Sequence, residues 1–195
     1  EDLASAEGIE PAGLAGVLDA AAAASVARLA GASPRSIAQG LAAYTVAGHR
    51  GAVIHEHSGI SFIDNSKATN PHAADAALKG LNSVVWIAGG QLKGAEVDGL
   101  VAKHAAQIKA AVVLGADRQE IAQALAEHAP HAPVDVIQSN DPAAAMNAAV
   151  DAALQHAEAG DTVLLAPAAA SLDMYTGMAQ RGDFFAVAAR ELTRD

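Results

Sequence analysis

The stretch FIDNSKATNPHAADAAL, residues 62–78, contains the junction that decides the fold, where an apolar strand, a polar loop and a helix follow one another. Asn70 is a good N-cap for that helix, and Pro71 suits its first position, where a missing N–H costs nothing. Six polar or charged side chains nevertheless stand within the seven residues 64–70, more than a turn requires. The junction indicates either a capped loop or a ligand site built where a strand meets a helix.

The same alternation of strand and helix continues to the end of the chain. Two β-rich runs joined by Ser58-Gly59 predict a hairpin over residues 51–64. Beyond it, short apolar runs without polar alternation are separated by amphipathic helices, which is typical of a parallel sheet covered on both faces. The predicted strands are 84–88, 110–115, 134–137 and 162–166, and the predicted helices are 71–81, 97–109, 118–128, 142–157 and 177–192. The expected fold class is α/β: a Rossmann-like, mainly parallel sheet with helices on both faces, preceded by a hairpin and a short helical segment.

Two helices are predicted before the hairpin. The first is alanine-rich, covers residues 17–29 and stops at Gly31; the second begins after Ser33 and ends near Ala43. Helix gives way to sheet around residues 47–50, so we expect a boundary there. Because the chain begins with Glu1 rather than Met, we expect it to be part of a longer protein.

Composition narrows the classes of function. The 22 acidic side chains outnumber the 12 basic ones, and the formal net charge of −10 disfavours nucleic acid or an anionic membrane as the main partner. Cysteine is absent, which excludes disulfides and thiolate metal sites. No segment reads as a membrane span or a signal peptide. We therefore expect a cytoplasmic protein with neither a nucleic-acid nor a membrane partner.

Ligands of open parallel sheets bind beyond the carboxyl ends of the strands. The five segments at those ends are DNSKATN, GGQLKG, GADRQE, SND and APAAASLDMY. Three of them, 64–70, 89–94 and 166–175, carry more than helix-capping chemistry.

In the first of these loops, Lys67 and Thr69 would place a cation and a hydroxyl at a helix N-terminus, where backbone N–H groups already attract anions. In the second, two glycines allow the backbone to come close to a ligand, and Lys93 supplies a point charge. The third carries Ser171 in a run of small residues. From the residues alone, the first loop indicates either an anion site or helix capping, and the second loop is a weak signal by itself.

Other kinds of site find little support in the sequence. The patterns GxxxxGK[ST] and GxSxG are both absent, which argues against a P-loop and against a serine hydrolase. The eight histidines are scattered, and no carboxylate is obviously poised as their partner. His55 and His57 share one strand face but lack a third ligand, so no metal site is predicted. Trp86 is expected in the core.

Three blocks, DNSKATNP (64–71), WIAGGQLKG (86–94) and LLAPAAASLDMYTGMAQRGDFF (164–185), resemble in order and spacing the signature blocks of the MurD-type Mur ligases. These are the members of the Mur ligase family that add D-glutamate. The resemblance runs from about residue 12 to the end of the chain. Sister Mur ligases and folylpolyglutamate synthetases carry different residues in the first block, and SKATNP is what favours the D-glutamate-adding type.

The resemblance implies a three-domain bacterial ligase of peptidoglycan synthesis. Residues 1–47 would be the helical end of its central ATP-binding domain, and residues 48–195 its C-terminal D-glutamate-binding domain. ATP and Mg²⁺ would be required, with the Mg²⁺ ligands mostly upstream of this chain. The implied partners are D-glutamate, UDP-N-acetylmuramoyl-L-alanine and ATP, and the enzyme would be a cytoplasmic monomer. The chain alone would be inactive.

The resemblance also assigns residues, none of them catalytic. The positions implied for D-glutamate are Lys67, Thr69, Lys93, Ser171, Leu172 and Met178. The positions implied for ATP are Arg50 and Asn65. The sequence departs from the family pattern at Asn65, which replaces an aspartate, and at Met178, which replaces an aromatic residue. Ala12, Gly13 and Gly16 stand where the family often has a histidine and two asparagines, one of which meets adenine.

Two alternatives stay open. One is another amino-acid-adding ligase, either a different Mur ligase or a folylpolyglutamate synthetase. The other is a non-catalytic Rossmann-like module that binds an anion or a partner protein.

Overall fold

The computed structural model describes residues 3–10, 14–45 and 47–193. The chain divides into two compact units, residues 1–48 and 49–195. The helices described in the first unit are α1 (Leu14–Leu29) and α2 (Pro34–Ala43). Ser33 caps α2 by accepting a hydrogen bond from the Ser36 N–H, as its sequence position predicts.

The second unit is a six-stranded sheet with helices between the strands. Its elements are β1 (Ala52–His57), β2 (Ile60–Asp64), α3 (Pro71–Leu78), β3 (Val84–Gly89), α4 (Asp98–His104), β4 (Ile108–Leu114), α5 (Arg118–His128), β5 (Val134–Val136), α6 (Pro142–His156), β6 (Thr162–Leu165) and α7 (Met178–Leu192). The strand order is β1-β2-β6-β3-β4-β5. Only β1 and β2 pair antiparallel, and every other pairing is parallel. The predicted α/β fold class is confirmed, with the hairpin forming one edge of the sheet.

The boundary between α4 and β4 differs from the prediction. Helix was expected through residue 109, but α4 ends at His104 and β4 begins at Ile108 after a 3₁₀ turn. The Gln107 side chain donates to the Leu78 carbonyl at 2.7 Å, which ends the helix locally. Ile108 is 1% exposed, so burying this β-branched side chain in the sheet outweighs the helix propensity of the neighbouring alanines.

Two hydrophobic cores lie on the two faces of the sheet. The first contains side chains of α3, α4 and α5, and the second those of α6 and α7. Alanines such as Ala145, Ala149 and Ala153 are fully buried on α6 and let that helix approach the sheet closely. Trp86 is also fully buried, as predicted, and its indole N–H donates to the Ala166 carbonyl at 2.8 Å. None of the helices in the described part of the chain could cross a membrane.

The strand order places a topological switch point at β6. This strand lies between β2 and β3. The helix that follows it, α7, packs on one face of the sheet, whereas α3 and α4, which follow β2 and β3, pack on the other. In open α/β sheets, the carboxyl ends of the strands at such a switch point are where ligands bind.

The expectation that the histidines lack carboxylate partners was wrong for four of them. The pairs are His49–Asp64 at 2.7 Å, His104–Asp75 at 2.7 Å, His128–Asp98 at 3.1 Å and His156–Asp135 at 2.7 Å. Their members are 15 to 30 residues apart in the sequence, so only the tertiary fold brings them together.

The Asp75 carboxylate links stability to acidic pH. Hydrogen bonds from Lys103 and then His104 hold the pKa of Asp75 below its usual 3.8. A folded-state pKa below the unfolded value stabilises the fold above pH 3.8, and that contribution is lost as the pH falls through the folded pKa. We expect Asp75→Asn to lower the free energy of unfolding at pH 7 by up to about 1 kcal/mol, because the group is partly exposed.

Urea titrations from pH 7 to pH 3 test this expectation. The gap between the parent and Asp75→Asn should narrow below pH 3.8, while Asp151→Asn, at an exposed aspartate, should match the parent throughout. A gap of constant size at every pH would contradict the proposed linkage.

Candidate functional site

The loop 64–70 alternates between buried and half-exposed side chains, and the buried ones hold the fold together. Asp64 and Ser66 are 1% and 0% exposed. Asp64 accepts hydrogen bonds from the Ser66 N–H at 2.9 Å and from His49 Nδ1 at 2.7 Å. The Ser66 hydroxyl donates to the Met178 carbonyl at 2.8 Å. These two polar residues therefore have a structural role that the sequence did not reveal.

The half-exposed side chains of the same loop are Asn65, Lys67 and Thr69. None of the three makes a side-chain hydrogen bond to the part of the chain that the structure describes. Asn70 caps α3 by accepting from the Ala73 N–H at 3.0 Å, as predicted. A cation, a hydroxyl and an amide of this loop therefore have neither a structural nor a capping role. They lie beside a helix N-terminus, and this combination suits an anion.

The loop 89–94 is held by its neighbours on both sides. Gln91 and Ala170 exchange two backbone hydrogen bonds of 2.8 Å, which tie this loop to the one after β6. The Leu92 N–H donates to Asp117 Oδ2 at 2.7 Å, so Asp117 braces this loop as well as preceding α5. Lys93 is exposed, and its ammonium forms no hydrogen bond with the described residues. This braced loop therefore carries a lysine ammonium that is not hydrogen-bonded to the described residues.

The two glycines of this loop serve a different purpose from the one predicted. They were expected to let the backbone approach a ligand. A Cβ at Gly89 would lie 1.8 Å from the Leu114 carbonyl oxygen, and one at Gly90 would lie 2.0 Å from the Ala170 carbonyl oxygen. The close approach is therefore to the protein's own backbone, and it allows the two loops to pack against each other.

Ser171 lies in the loop 166–175 and is nearly fully buried. Ser171 is 4% exposed, its carbonyl accepts from the Tyr175 N–H at 2.8 Å, and its hydroxyl makes no hydrogen bond within the described chain. Leu172, the next residue, is 64% exposed. Asp173 Oδ2 accepts from the Ala116 N–H at 2.8 Å and fixes the loop to the end of β4.

Arg181 of α7 connects all three loops, and the sequence assigned it no role. The side chain is 1% exposed. Its Nε donates to Ser66 Oγ at 3.0 Å and its Nη2 to the Ser66 carbonyl at 2.9 Å. Its Nη1 donates to the carbonyls of Gly89 and Ala169 at 3.2 and 3.1 Å. Burial lowers the pKa of Arg181 to about 10, so it stays charged at neutral pH. The available signal was that α7, which is largely apolar, contains Arg181 as one of two arginines.

The remaining predicted positions lie near these loops or outside the described chain. Arg50 is exposed, and its guanidinium makes no hydrogen bond with the described residues. Met178 is the first residue of α7 and is half-buried. Gly16 is buried in α1, while Ala12 and Gly13 fall outside the described residues.

The histidine pair on β1 does not assemble a metal site with other described residues. The Nε2 atom of His55 is hydrogen-bonded to Thr193 Oγ1 at 2.8 Å, and the ring of His57 stacks on that of His55 with centroids 6.4 Å apart. Elsewhere in the described chain, the ligand atoms of Asp98, Glu127 and His128 lie within 4.8 Å of one another on the surface. The hydrogen bond between His128 and Asp98 accounts for part of that proximity.

Around the carboxyl ends of β2, β3 and β6 the structure thus gathers loops bearing two lysines and two hydroxyls without partners among the described residues. Of the carboxylates nearby, Asp64 is engaged by His49 and Asp173 Oδ2 by a backbone N–H, whereas Asp173 Oδ1 is buried without a hydrogen-bond partner among the described residues. Ammonium and hydroxyl donors with few competing acceptors suit a ligand that carries more than one carboxylate.

Residues 49–169 match the family described as Mur ligase, glutamate ligase domain. The UDP-N-acetylmuramoylalanine–D-glutamate ligase of Corynebacterium efficiens is 64% identical over 186 residues, which are 95% of this chain and 39% of that protein. Its counterpart in Corynebacterium diphtheriae is 56% identical over 193 residues, 99% of this chain and 41% of that protein. This chain therefore spans about two fifths of the length of these relatives.

The solved UDP-N-acetylmuramate–alanine ligase of Thermotoga maritima matches 94% of this chain and 40% of its own, with a TM-score of 0.62 at 13% identity. That likeness shows a shared fold. The resemblance expected from the three sequence blocks is confirmed by the relatives' names and by the family match. Since the match covers more than half of its residues, the chain belongs to the Mur ligase family.

Proposed function

We propose that this chain is the amino-acid-binding part of an ATP-dependent ligase that joins D-glutamate to UDP-N-acetylmuramoyl-L-alanine. The observation that carries the proposal is the set of unpartnered donors on three interlocked loops. Relatives up to 64% identical are named for the same reaction. In this proposal residues 1–47 end the central ATP-binding domain, residues 48–195 bind D-glutamate, and the longer protein works as a monomer in the cytoplasm.

D-Glutamate matches the donors in charge. Its two carboxylates need cations and hydrogen-bond donors, and we assign these roles to Lys93, Lys67, Thr69 and Ser171. Charge-assisted hydrogen bonds to a carboxylate are among the stronger ones available. The exposed Leu172 and the half-buried Met178 supply apolar surface for the methylene groups of the ligand.

In the proposed reaction, ATP phosphorylates the alanyl carboxylate and gives an acyl phosphate. The amine of D-glutamate attacks the carbonyl carbon, the bond to the phosphate oxygen breaks, and an amide and phosphate form with loss of a proton from nitrogen. Residues of this chain hold the amino acid so that its amine meets the acyl phosphate, which is catalysis by orientation. No residue of the chain is assigned a catalytic role.

The nucleotide and Mg²⁺ fit this chain only in part. Arg50 and Asn65 have side chains without partners in the described structure and could contact ATP. Asp64, the carboxylate next to Asn65 in the sequence, is buried and already accepts two hydrogen bonds, so it suits a structural role better than a Mg²⁺ ligand. We propose that the Mg²⁺ ligands and the phosphate-binding loop belong to the remainder of the longer enzyme.

Phosphate release tests the proposed division of labour. The 195-residue chain, incubated with ATP, D-glutamate and UDP-N-acetylmuramoyl-L-alanine, should release no phosphate above background because it contains no phosphate-cradling loop. The longer protein should release phosphate with D-glutamate and show at most traces with L-glutamate or D-alanine. Turnover by the chain alone would overturn the division.

The same assay separates the alternatives. Preference of the longer protein for another amino acid, or for a folate acceptor, would favour a different ligase of this family. Absence of any ATP-dependent ligation, with D-glutamate still binding in calorimetry, would favour a non-catalytic binding module.

A further inference from the structure

Arg181 is a buried cation that forms no ion pair with the described acidic residues. Its four hydrogen bonds go to one hydroxyl and three carbonyl oxygens, all of them neutral acceptors. Asp173 and Asp64 favour its charge through space, but the hydrogen bonds that these carboxylates accept come from other donors. Burying a charge costs free energy unless other groups compensate it. The burial of this guanidinium therefore calls for an explanation.

The position of the guanidinium suggests that reason. Its hydrogen bonds reach Ser66, Gly89 and Ala169, which lie in or beside the three loops that carry the unpartnered donors. The three nitrogen atoms lie in one plane and point in fixed directions, so the fork sets the spacing of the loops as well as joining them. Its charge also adds to the attraction of these loops for anions.

We propose that Arg181 is a positioning residue of the amino-acid site, setting the distances between the loops of Lys67, Lys93 and Ser171 and drawing a dicarboxylate toward them. This inference rests on the proposed function. It goes beyond that function because it assigns a role to a buried residue that is not among the positions proposed to contact D-glutamate. Both the planar fork and the charge are needed.

Two substitutions separate the fork from the charge. Arg181→Lys keeps a cation but offers one nitrogen, which cannot reach all three loops in the same geometry. Arg181→Gln removes the charge as well. In the longer enzyme we expect Arg181→Lys to raise KM for D-glutamate about tenfold or more, with KM for ATP and for the UDP-sugar within about twofold of the parent. Arg181→Gln should raise KM for D-glutamate further.

A matched control excludes simple loss of stability. Val150 is fully buried against the sheet in the core formed with α6 and α7. Val150→Ala should lower the melting temperature and leave KM for D-glutamate unchanged. If it raises that KM as much as Arg181→Lys at an equal loss of melting temperature, the positioning role is refuted.

Ser66→Ala keeps the test decisive if the Arg181 variants do not fold. It removes the hydroxyl that accepts from Arg181 Nε and leaves the three carbonyl contacts in place. We expect KM for D-glutamate to rise about threefold to tenfold. An unchanged KM in Ser66→Ala, or in a folded Arg181→Lys enzyme, refutes the inference while the proposed function stands. A parent enzyme that does not use D-glutamate refutes the proposed function itself.

Discussion

Gly90→Ala should lower the free energy of unfolding by more than about 4 kcal/mol, a large fraction of the roughly 5–15 kcal/mol that stabilises an ordinary domain. Gly90 has a φ of +129°, which side-chain-bearing residues rarely adopt, and its added Cβ would lie 2.0 Å from the Ala170 carbonyl oxygen. That carbonyl cannot retreat, because it accepts the Gln91 N–H at 2.8 Å. Gly89→Ala should be equally severe, since its Cβ would lie 1.8 Å from the Leu114 carbonyl oxygen inside the sheet.

Two other glycines provide matched controls. Gly99 lies in α4 with no atom within 4 Å of an added Cβ, so Gly99→Ala should leave stability unchanged or raise it by about 0.5–1 kcal/mol. Gly94 has open space but a φ of +78°, and Gly94→Ala should cost roughly 1–2 kcal/mol. Urea denaturation followed by circular dichroism measures all four variants. If Gly90→Ala unfolds within about 1 kcal/mol of the Gly99→Ala value, the packing of the two loops is not what the structure shows.

Local chemistry made much of the fold predictable. Caps and first-turn prolines define helix starts from neighbouring residues, as at Ser33 and Asn70, where the structure shows the predicted bonds. Continuous apolar runs predicted the buried parallel strands, because a strand that is buried on both faces shows no alternation of apolar and polar residues. The end of α4 was missed because it depends on Gln107 reaching Leu78, a contact between residues 29 apart.

The sequence singled out only those candidate-site residues whose side chains form no hydrogen bonds within the described chain. Lys67, Thr69 and Lys93 stood out because neither a cap nor a core explains them. Asp64 and Ser66 looked the same in sequence, yet they are buried and bonded to distant partners. Arg181 reaches Ser66 across 115 residues, and no local pattern encodes such a pairing. In the polar loop after β2, buried residues that stabilise the fold therefore alternate with half-exposed residues that are available to a ligand.

Backbone strain provides separate support for a role of Lys93. Four residues other than glycine have positive φ in the described chain, and Lys93 is one of them at 56°. The left-handed conformation costs a side-chain-bearing residue about 1–2 kcal/mol, which glycine would avoid. Such strain persists where the surrounding structure holds the residue in place, and it is often found at binding sites. A lysine kept in this conformation on a braced loop is consistent with a requirement for its ammonium.

Lys93→Ala in the longer enzyme should therefore raise KM for D-glutamate about tenfold to a hundredfold, with KM for the UDP-sugar nearly unchanged. A charge-assisted hydrogen bond contributes roughly 1.5–3 kcal/mol, and the hydroxyls and helix N-terminus that remain should weaken binding without abolishing it. Lys93→Gly should raise KM equally while relieving about 1 kcal/mol of strain, so it should melt above Lys93→Ala. Lys79→Ala, at another exposed lysine, is the control and should behave as the parent. Steady-state kinetics with each substrate varied in turn decides the matter, because an unchanged KM for D-glutamate in both Lys93 variants would make that lysine a solvated surface residue.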